Sequence, residues 1–251
     1  MNREVLNDYK NKDEKMLLAE VLDKIENTNN RNKIEHTDFL DLAQNELVQK
    51  FLNKQKVENY IKYGGFNEAE RKMYIFYPEK FNEQVVEKNL SSIVQIIRIE
   101  LPDDLIGKYT HRDYLGAVMK LGVKREKVGD IIVENNGADI IIDKEITKFL
   151  EQNLSELTRF SKSTITVEDI QNLRNVEVKK EEIEIIVASL RLDNVASELA
   201  RCSRSKIIEI MNTERVFVNF QVETKKTNKR RGYDYNKGKR TILYKRDYRA
   251  N

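Results

Sequence analysis

The chain is poor in the residues on which several kinds of site depend. Its 251 residues include one cysteine, Cys202, and two histidines, His36 and His111. A single cysteine excludes an intramolecular disulfide and fits a reducing cytosol. So few thiol and imidazole groups also give poor support to a zinc cluster or a cysteine–histidine nucleophilic pair. We therefore expect no metal site, and we expect Cys202 to be a buried or half-buried small hydrophobe.

Long apolar runs and nucleotide-binding glycine patterns are missing as well. No apolar stretch approaches the roughly 20 residues that a membrane helix needs, and residues 1–4 do not begin a secretory signal. No G-x-G-x-x-G pattern occurs, so a dinucleotide or methyltransferase site is unsupported. We expect a cytoplasmic, monomeric protein that has no cofactor, no membrane contact and no catalytic residue.

Charge is present in quantity and is unevenly distributed. The whole chain carries 45 Lys and Arg against 42 Asp and Glu, a net +3. From residue 191 to residue 251 there are 16 basic and 7 acidic residues, a net +9, whereas the rest of the chain has a net −6. A basic end on an otherwise acidic chain is the electrostatic pattern of a protein that binds a polyanion.

Hydrophobic spacing predicts an α+β protein in three parts: a helical region over residues 1–80, a central domain over 81–180 and a C-terminal domain over 181–251. In the first part, apolar residues recur at helical spacing over 16–25 and 40–52. The Asn-rich stretch 27–33 predicts a break, and Thr37 is a candidate N-cap for the second helix. The remaining elements are a turn at 63–66, a short helix over 67–71 and a strand over 73–77.

The central part is predicted to alternate strands and helices. Thr110 and Asp113 match a capping box that starts one helix, and Asn136-Gly137 predicts a hairpin. A second helix is expected over 144–154, with its inward residues at Ile146, Phe149, Leu150 and Leu154. Further strands are expected over 93–101 and 163–167. Such strands around two helices indicate a ferredoxin-like α+β domain.

The C-terminal part is predicted to combine two short amphipathic helices with strands and a basic loop. A lead-in strand is expected over 183–187, and the second helix should begin after Ser203, a natural N-cap. Arg204 and Lys206 then occupy the first turn, where cations oppose the helix dipole at about 0.3–1 kcal/mol each. A docked phosphate would make the same arrangement favourable. A solvated helix start with incidental charges is the alternative.

The basic loop carries five cations in eight residues, 225–232, and tyrosines follow it. Interleaved rings and cations suit RNA, because bases stack on rings and cations meet phosphates. A mobile, solvated tail is the alternative interpretation. No pattern here reads bases, so backbone and shape contacts should dominate. The predicted RNA-binding residues are Arg191, Ser203, Arg204, Ser205, Lys206, Arg215, Asn219, Lys225, Lys226, Lys229, Arg230 and Arg231.

Three blocks in this region resemble the RNA-binding domain of the ribosomal-protein-S-four type, over about the last 65 residues. They are Arg191-Leu192-Asp193, Ser203-Arg204-Ser205-Lys206 and Arg215-Val216-Phe217-Val218-Asn219. Upstream segments at 63–66, 68–72, 111–116 and 122–131 extend the resemblance, over nearly the full chain, to the YlmH family of bacterial RNA-binding proteins. The chain departs from the common pattern at Phe220, where the hairpin often has glycine, and it lacks a glycine-rich closing motif.

The resemblance implies a helical N-terminal part, a central RRM-like domain and a C-terminal S-four-type αα-β domain. It also implies binding to rRNA and tRNA on a large ribosomal subunit that carries a stranded peptidyl-tRNA, in rescue or quality control of stalled translation. The family is linked to cell division by gene neighbourhood. Arg112, Lys124, Arg125 and Lys127 of the central domain are candidates for a second contact surface.

Two other functions stay open at this point. Arg191-Leu192-Asp193 also resembles the catalytic block of RNA pseudouridine synthases, although the flanking residues differ and no separate synthase domain is left in the chain. An RNA-modifying enzyme would need a deep polar pocket with perturbed acids in the central domain. A cell-division adaptor would instead use the acidic N-terminal region to bind a protein.

Overall fold

The structure is a computed structural model that describes residues 3–174, 176, 185–189, 191–218 and 221–225, with the backbone alone at 217, 218, 221 and 222. The chain forms two compact units, Met1–Val178 and Lys179–Asn251. Helices and antiparallel sheets occur together, which confirms the predicted α+β class. The predicted division into three domains stays a prediction. In the part of the chain that the structure describes, no helix is both long and apolar enough to span a bilayer.

A long helix opens the first unit. α1 (Lys12–Arg31) begins at Asn11, whose side-chain oxygen accepts a 2.8 Å hydrogen bond from the Asp13 backbone N–H. The helix continues through Asn27 and ends at Asn32 in the left-handed conformation. The break predicted over residues 27–33 therefore occurs only at its end, at Asn32 and Lys33, and its predicted start at Asn27 is wrong; Thr28 is buried within the helix.

The second helix starts later than predicted. α2 (Leu42–Gln55) is capped by Asp41, which accepts a 2.8 Å bond from the Gln44 N–H, while the Gln44 side chain accepts from the Asp41 N–H. Thr37 is not the N-cap. Its hydroxyl donates to the Asp38 carbonyl and accepts from the Tyr74 N–H, so it joins this segment to a strand.

Three short strands pack beside these helices. They are β1 (Glu35–His36), β2 (Tyr60–Tyr63) and β3 (Met73–Phe76), in the antiparallel order β1-β3-β2. The sequence predicts β3 alone: β1 has only two residues, and β2 lacks the continuous apolar run that marks β3. Residues 67–71 form turns, so the predicted short helix there is wrong.

The rest of the first unit has the element order strand, helix, strand, strand, helix, strand. The elements are β4 (Val94–Glu100), α4 (His111–Lys120), β5 (Val128–Glu134), β6 (Gly137–Asp143), α5 (Thr147–Leu154) and β7 (Thr164–Asp169). The strands pair antiparallel in the order β5-β6-β4-β7. A short helix, α3 (Glu83–Glu87), precedes them. Short 3-10 helices lie at Arg3–Asp8, Leu90–Ser92, Asp103–Leu105, Arg125–Lys127, Lys144–Ile146 and Ile170–Asn172.

Short sequence patterns predicted most of these elements at the positions where they occur. α4 begins after Thr110, whose backbone N–H and hydroxyl both donate to the Asp113 carboxylate. The predicted hairpin between β5 and β6 is confirmed, but its turn is formed by Asn135 and Asn136, and Gly137 begins β6 at a φ of 152°. In α5, Leu150 and Leu154 are buried, but Phe149 is exposed, contrary to prediction. Leu150 and Leu154 pack in the buried cluster against the sheet, whereas Phe149 lies on the solvent side of the helix.

Both faces of the four-stranded sheet are covered. Ile97 and Ile99 of β4 lie in one buried cluster with residues of α4 and α5. Ile96 and Ile141 point to the other face, since successive strand residues alternate. There they pack with Phe39, Met73, Ile75 and other residues of the preceding segment. The sheet is therefore an internal layer of the first unit over much of its area.

In its described residues, the second unit contains two helices and a hairpin. α6 (Leu192–Leu199) and α7 (Arg204–Asn212) precede β8 (Phe217–Val218) and β9 (Gln221–Val222), which pair antiparallel. Leu192, Met211 and Val216 are buried together, and so are Ala196, Ala200 and Ile207. Of the predicted lead-in strand, residues 183 and 184 lie outside the described residues, and 185–187 are not in a strand. The strand expected near 242–244 also lies outside them.

Candidate nucleic-acid interface

Two of the predicted RNA-binding arginines meet on one carboxylate. Arg191 immediately precedes α6 and donates from Nε to Asp193 Oδ1 at 3.0 Å and from Nη2 to Oδ2 at 3.1 Å. Arg204, the first residue of α7, donates from Nη2 to the same Oδ2 at 2.7 Å. We call these three side chains the Asp193 cluster. It joins the starts of the two helices.

Burial within the Asp193 cluster is unequal. The Asp193 side chain is 1% exposed, whereas the side chains of Arg191 and Arg204 are 44% and 56% exposed. Hydrogen bonding from Arg191, helped by Arg204 and opposed by burial, holds the pKa of Asp193 well below its ordinary value. The aspartate is thus ionised at neutral pH. The cluster carries a net charge of +1 and presents guanidinium groups to the solvent.

The start of α7 has the predicted cap. Ser203 Oγ accepts from the Lys206 backbone N–H at 3.2 Å and lies 3.0 Å from Ser205 Oγ. Lys206 Nζ makes a 2.9 Å ion pair with Glu209 on the same helix, and both side chains are exposed. Such a solvated pair contributes little to stability and can be exchanged for another anion. Lys206 therefore remains available to a ligand.

The other predicted site residues divide into described and undescribed positions. Arg215 and Lys225 are exposed, and the Lys225 backbone N–H donates to Glu223 at 2.9 Å. Asn219, Lys226, Lys229, Arg230 and Arg231 lie outside the described residues. The two strands of the hairpin pair Val218 with Gln221, which leaves positions 219 and 220 between them.

Arg201 is a cation that the sequence interpretation missed. It lies in the turn between α6 and α7, is exposed, and has a left-handed φ of 48°. An arginine seldom adopts this conformation, and the turn would suit glycine better. Its place beside Cys202, directly between two predicted helices, was the available signal. Cys202 itself is half-buried, as predicted.

Four residues of the central domain were candidates for a second contact surface, and two of them, Arg125 and Lys127, are engaged within the fold. The Arg125 guanidinium donates to the Val128 and Gly129 carbonyls, and burial, together with repulsion from Arg71, lowers the pKa of Arg125 to about 10. Lys127 is 2.9 Å from Asp38, 2.9 Å from Asp143 and 2.8 Å from Glu145. Burial acts to lower the pKa of Lys127, but these hydrogen bonds outweigh it and raise the pKa.

These contacts make Arg125 and Lys127 internal structural residues, so their assignment to a contact surface is wrong. The sequence alone does not distinguish these two residues from exposed cations. The carboxylate partners of Lys127, which are Asp38, Asp143 and Glu145, lie elsewhere in the chain. Arg112 and Lys124 are exposed and remain candidates.

The sheet face opposite α4 and α5 also holds an internal ion-pair network. Asp139 of β6 is fully buried and accepts two 2.8 Å bonds from Arg98 of β4. It also accepts from the Arg174 backbone N–H at 3.1 Å, and the Arg174 Nε lies 3.6 Å from it. The central strands β4 and β6 contain no aromatic residue. These two strands therefore contribute no ring on which a base could stack.

An open cavity of about 590 Å³ lies at the end of β7. Its lining includes Tyr63, Phe66, Glu68 and Arg174, and Glu68 is the one carboxylate among the residues that line it. Burial, with a smaller effect of Asp169, raises the pKa of Tyr63 to about 12, so this phenol stays neutral. The cavity lacks the paired, perturbed acids that the RNA-modifying alternative requires. Among the described residues, no group of three or more histidine, cysteine or acidic side chains is placed to hold a metal ion.

Comparison with known proteins gives matches to a family model, to a named relative and to a solved structure. Residues 91–174 match the family model described as "Putative RNA-binding domain in YlmH". The chain is 28% identical over 214 residues to "Ribosome-associated protein quality control protein P2" of Bacillus subtilis (strain 168), a match that covers 84% of this chain and 79% of that protein. A solved structure, "Cell division protein ylmH from Streptococcus pneumoniae", is 16% identical with a TM-score of 0.49, covering 64% of this chain and 93% of that one.

The first two matches support the resemblance to the YlmH family. The family model falls on β4 to β7 and the residues around them, in the first unit. It does not reach the Asp193 cluster. The S-four-type identity of the second unit therefore stays a prediction.

Proposed function

We propose that this protein is a YlmH-type RNA-binding protein that holds structured RNA of the ribosome by its second unit. The observation that carries the proposal is the Asp193 cluster, because it displays two exposed guanidiniums at the starts of adjoining helices. The match of residues 91–174 to an RNA-binding family model and the ribosome-associated relative from Bacillus subtilis support RNA binding by the chain as a whole.

The two units play different parts in the proposal. The element order of β4 to β7 and the strand order β5-β6-β4-β7 support an RRM-like architecture for the centre of the first unit. The two helices followed by a hairpin support an S-four-type second unit. The central sheet is covered on both faces and leaves little of its surface open to RNA. The first unit is therefore proposed to have a mainly structural part, and the second unit to supply most of the phosphate contacts.

The proposed binding is to the RNA backbone. Arginine forks match phosphate oxygens with two parallel hydrogen bonds, and such contacts position a protein without reading its target sequence. Arg191, Arg204 and Lys206 contact phosphates on the helical side, together with Arg215. The loop cations Lys225, Lys226, Lys229, Arg230 and Arg231 follow the backbone on the other side, with Ser203, Ser205 and Asn219 as polar contacts.

The finer assignment follows from the family resemblance and the relative's name. The relative is named for ribosome-associated quality control. We place this chain on the large ribosomal subunit, in contact with rRNA and a peptidyl-tRNA, in rescue of stalled translation. It acts there as a binding protein rather than as an enzyme, from the cytoplasm and as a monomer.

Ribosome co-sedimentation of the full chain tests the proposal. Arg204→Ala combined with Lys206→Ala should reduce binding at least tenfold, since two charge-assisted contacts are lost. The matched control is Lys50→Ala with Lys54→Ala on α2. Those lysines are also exposed, are also paired with carboxylates, and give the same change in net charge. The control should bind as the wild type does.

A salt series separates phosphate contacts from general attraction. If about six phosphates are neutralised, the logarithm of the binding constant should fall with the logarithm of salt concentration at a slope near −4 to −5. The double variant should lessen that slope by one to two units. Unchanged co-sedimentation of the double variant, or a flat salt response of the wild type, would reject the proposed interface.

A further inference from the structure

We propose that Asp193 is a positioning residue that holds Arg191 and Arg204 as one preorganised pair for a single RNA phosphate. The proposal rests on the proposed RNA-binding function and adds a role for an acidic residue within the basic site. An acid here would ordinarily be read as a group that neutralises its neighbours and weakens binding to a polyanion.

The hydrogen bonds fix both guanidiniums through one carboxylate. Arg191 makes a two-point contact through Nε and Nη2, which sets the plane of its guanidinium as well as its position. Arg204 reaches the same Oδ2 from the other helix. The two Nη2 atoms therefore lie within about 6 Å of each other, since they share one acceptor. One phosphate group has enough oxygens to accept from both.

Differences in burial determine which groups of the Asp193 cluster a ligand can contact. The carboxylate is 1% exposed and lies beneath two side chains that are about half exposed. Each guanidinium has five N–H donors, and Asp193 takes two from Arg191 and one from Arg204. The remaining donors can turn to a phosphate while the aspartate stays covered. Without it, two like charges at this distance would repel, and each flexible side chain would lose its fixed rotamer on binding.

The alternative is a purely structural ion pair that ties α6 to α7. The two roles predict opposite results for Asp193→Asn. Removing an acid makes the second unit more positive, so simple electrostatics predicts equal or tighter RNA binding. Loss of positioning predicts weaker binding, because the amide has a single acceptor oxygen and its NH₂ group opposes a guanidinium donor.

The experiment measures RNA binding of the full chain by ribosome co-sedimentation and with a ribosomal RNA fragment, over a salt series. We expect Asp193→Asn to bind about tenfold more weakly than the wild type despite its added positive charge. Its salt slope should be less steep by about one unit, since one phosphate contact is lost. A structural role alone would leave the slope equal or make it steeper.

Glu209→Gln is the matched control, since Glu209 also pairs with a cation of the site, Lys206, and the charge change is the same. This exposed pair positions nothing, so the control should bind as well as the wild type or slightly better. Circular dichroism and a thermal melt establish whether Asp193→Asn remains folded.

A second variant keeps the test decisive if Asp193→Asn fails to fold. Arg191→Lys conserves the charge at an exposed position but cannot make the two-point contact with Asp193. We expect it to weaken RNA binding severalfold with no change in thermal stability beyond that of the matched exposed change Arg201→Lys. Wild-type affinity for Arg191→Lys, or wild-type or tighter affinity for a folded Asp193→Asn, overturns the positioning role. Failure of the wild-type chain itself to bind RNA at low salt would instead reject the proposed function.

Discussion

Replacing Asp139 by asparagine tests whether the first unit depends on its buried ion-pair network. Asp139 is fully buried and is held by two 2.8 Å bonds from Arg98 and one 3.1 Å bond from the Arg174 N–H. Asparagine keeps the shape but removes the charge, and its NH₂ group would face a guanidinium donor. Arg98 and Arg174, which are themselves mostly buried, would lose their shared counter-charge.

The expected cost follows from these contacts. Removing one partner of a buried ion pair costs about 3–5 kcal/mol, because the other charge stays desolvated. The lower figure applies here, since Arg174 keeps Glu100 and Glu134 at 3.6 Å. With a urea dependence of about 2–3 kcal/mol per molar, a loss of about 3 kcal/mol moves the unfolding midpoint down by roughly 1 M.

Glu134→Gln provides the comparison in urea. It removes the same charge from the same network, but Glu134 is partly solvated and lies 3.6 Å from Arg174, so its loss should cost below about 1 kcal/mol. If Asp139→Asn shifts the midpoint no further than Glu134→Gln, the buried network does not stabilise the sheet as argued. Because the network belongs to the first unit and the proposed phosphate contacts to the second, the folded Asp139→Asn variant should retain wild-type RNA binding.

Two further stability predictions concern α4 and the 3-10 turn before β5. Gly116→Ala should stabilise the protein by about 0.5–1 kcal/mol in the same urea assay, because the glycine is inside α4 and a Cβ there meets nothing within 4 Å; a loss of stability would show that the glycine is required. Lys127→Met should cost about 3 kcal/mol, because it leaves Asp143 buried and unpaired beside Asp38. The exposed change Lys120→Met should cost below about 0.5 kcal/mol, and an equal loss in both would contradict the internal role of Lys127.

The parts of the fold that the sequence predicted correctly carry strong local signals. A capping residue marks the starts of α4 and α7, and Asn136-Gly137 marks the hairpin between β5 and β6. The wrong predictions concern positions whose structure depends on contacts with residues far away in the sequence. Asn27 continues α1 because Thr28 is buried, and Thr37 is engaged by the Tyr74 N–H of a strand far along the chain. The cap of α2 is instead local: Asp41 and Gln44 lie three residues apart, at the spacing of a capping box.

The candidate site was predictable as a set of charges but not as an arrangement. Arg191, Arg204 and Lys206 follow from the basic pattern and the Ser203 cap. The role of Asp193 does not, because its bond to Arg204 joins two helices and depends on how α6 packs on α7. The same limit explains Arg125, whose basic neighbourhood resembles an exposed patch until the fold places its guanidinium against the Val128 carbonyl.

The two units use their arginines in opposite ways, and the difference bears on where RNA affinity arises. Arg98 and Arg125 in the first unit are mostly buried. Arg98 donates to the buried Asp139, and Arg125 donates to backbone carbonyls. A phosphate could engage them only by breaking those bonds. In the second unit, Arg191 and Arg204 are about half exposed over a hidden carboxylate, so a phosphate adds to their contacts. The net charges of −6 before residue 191 and +9 from there on match this contrast, and the steep salt dependence should therefore originate in the second unit.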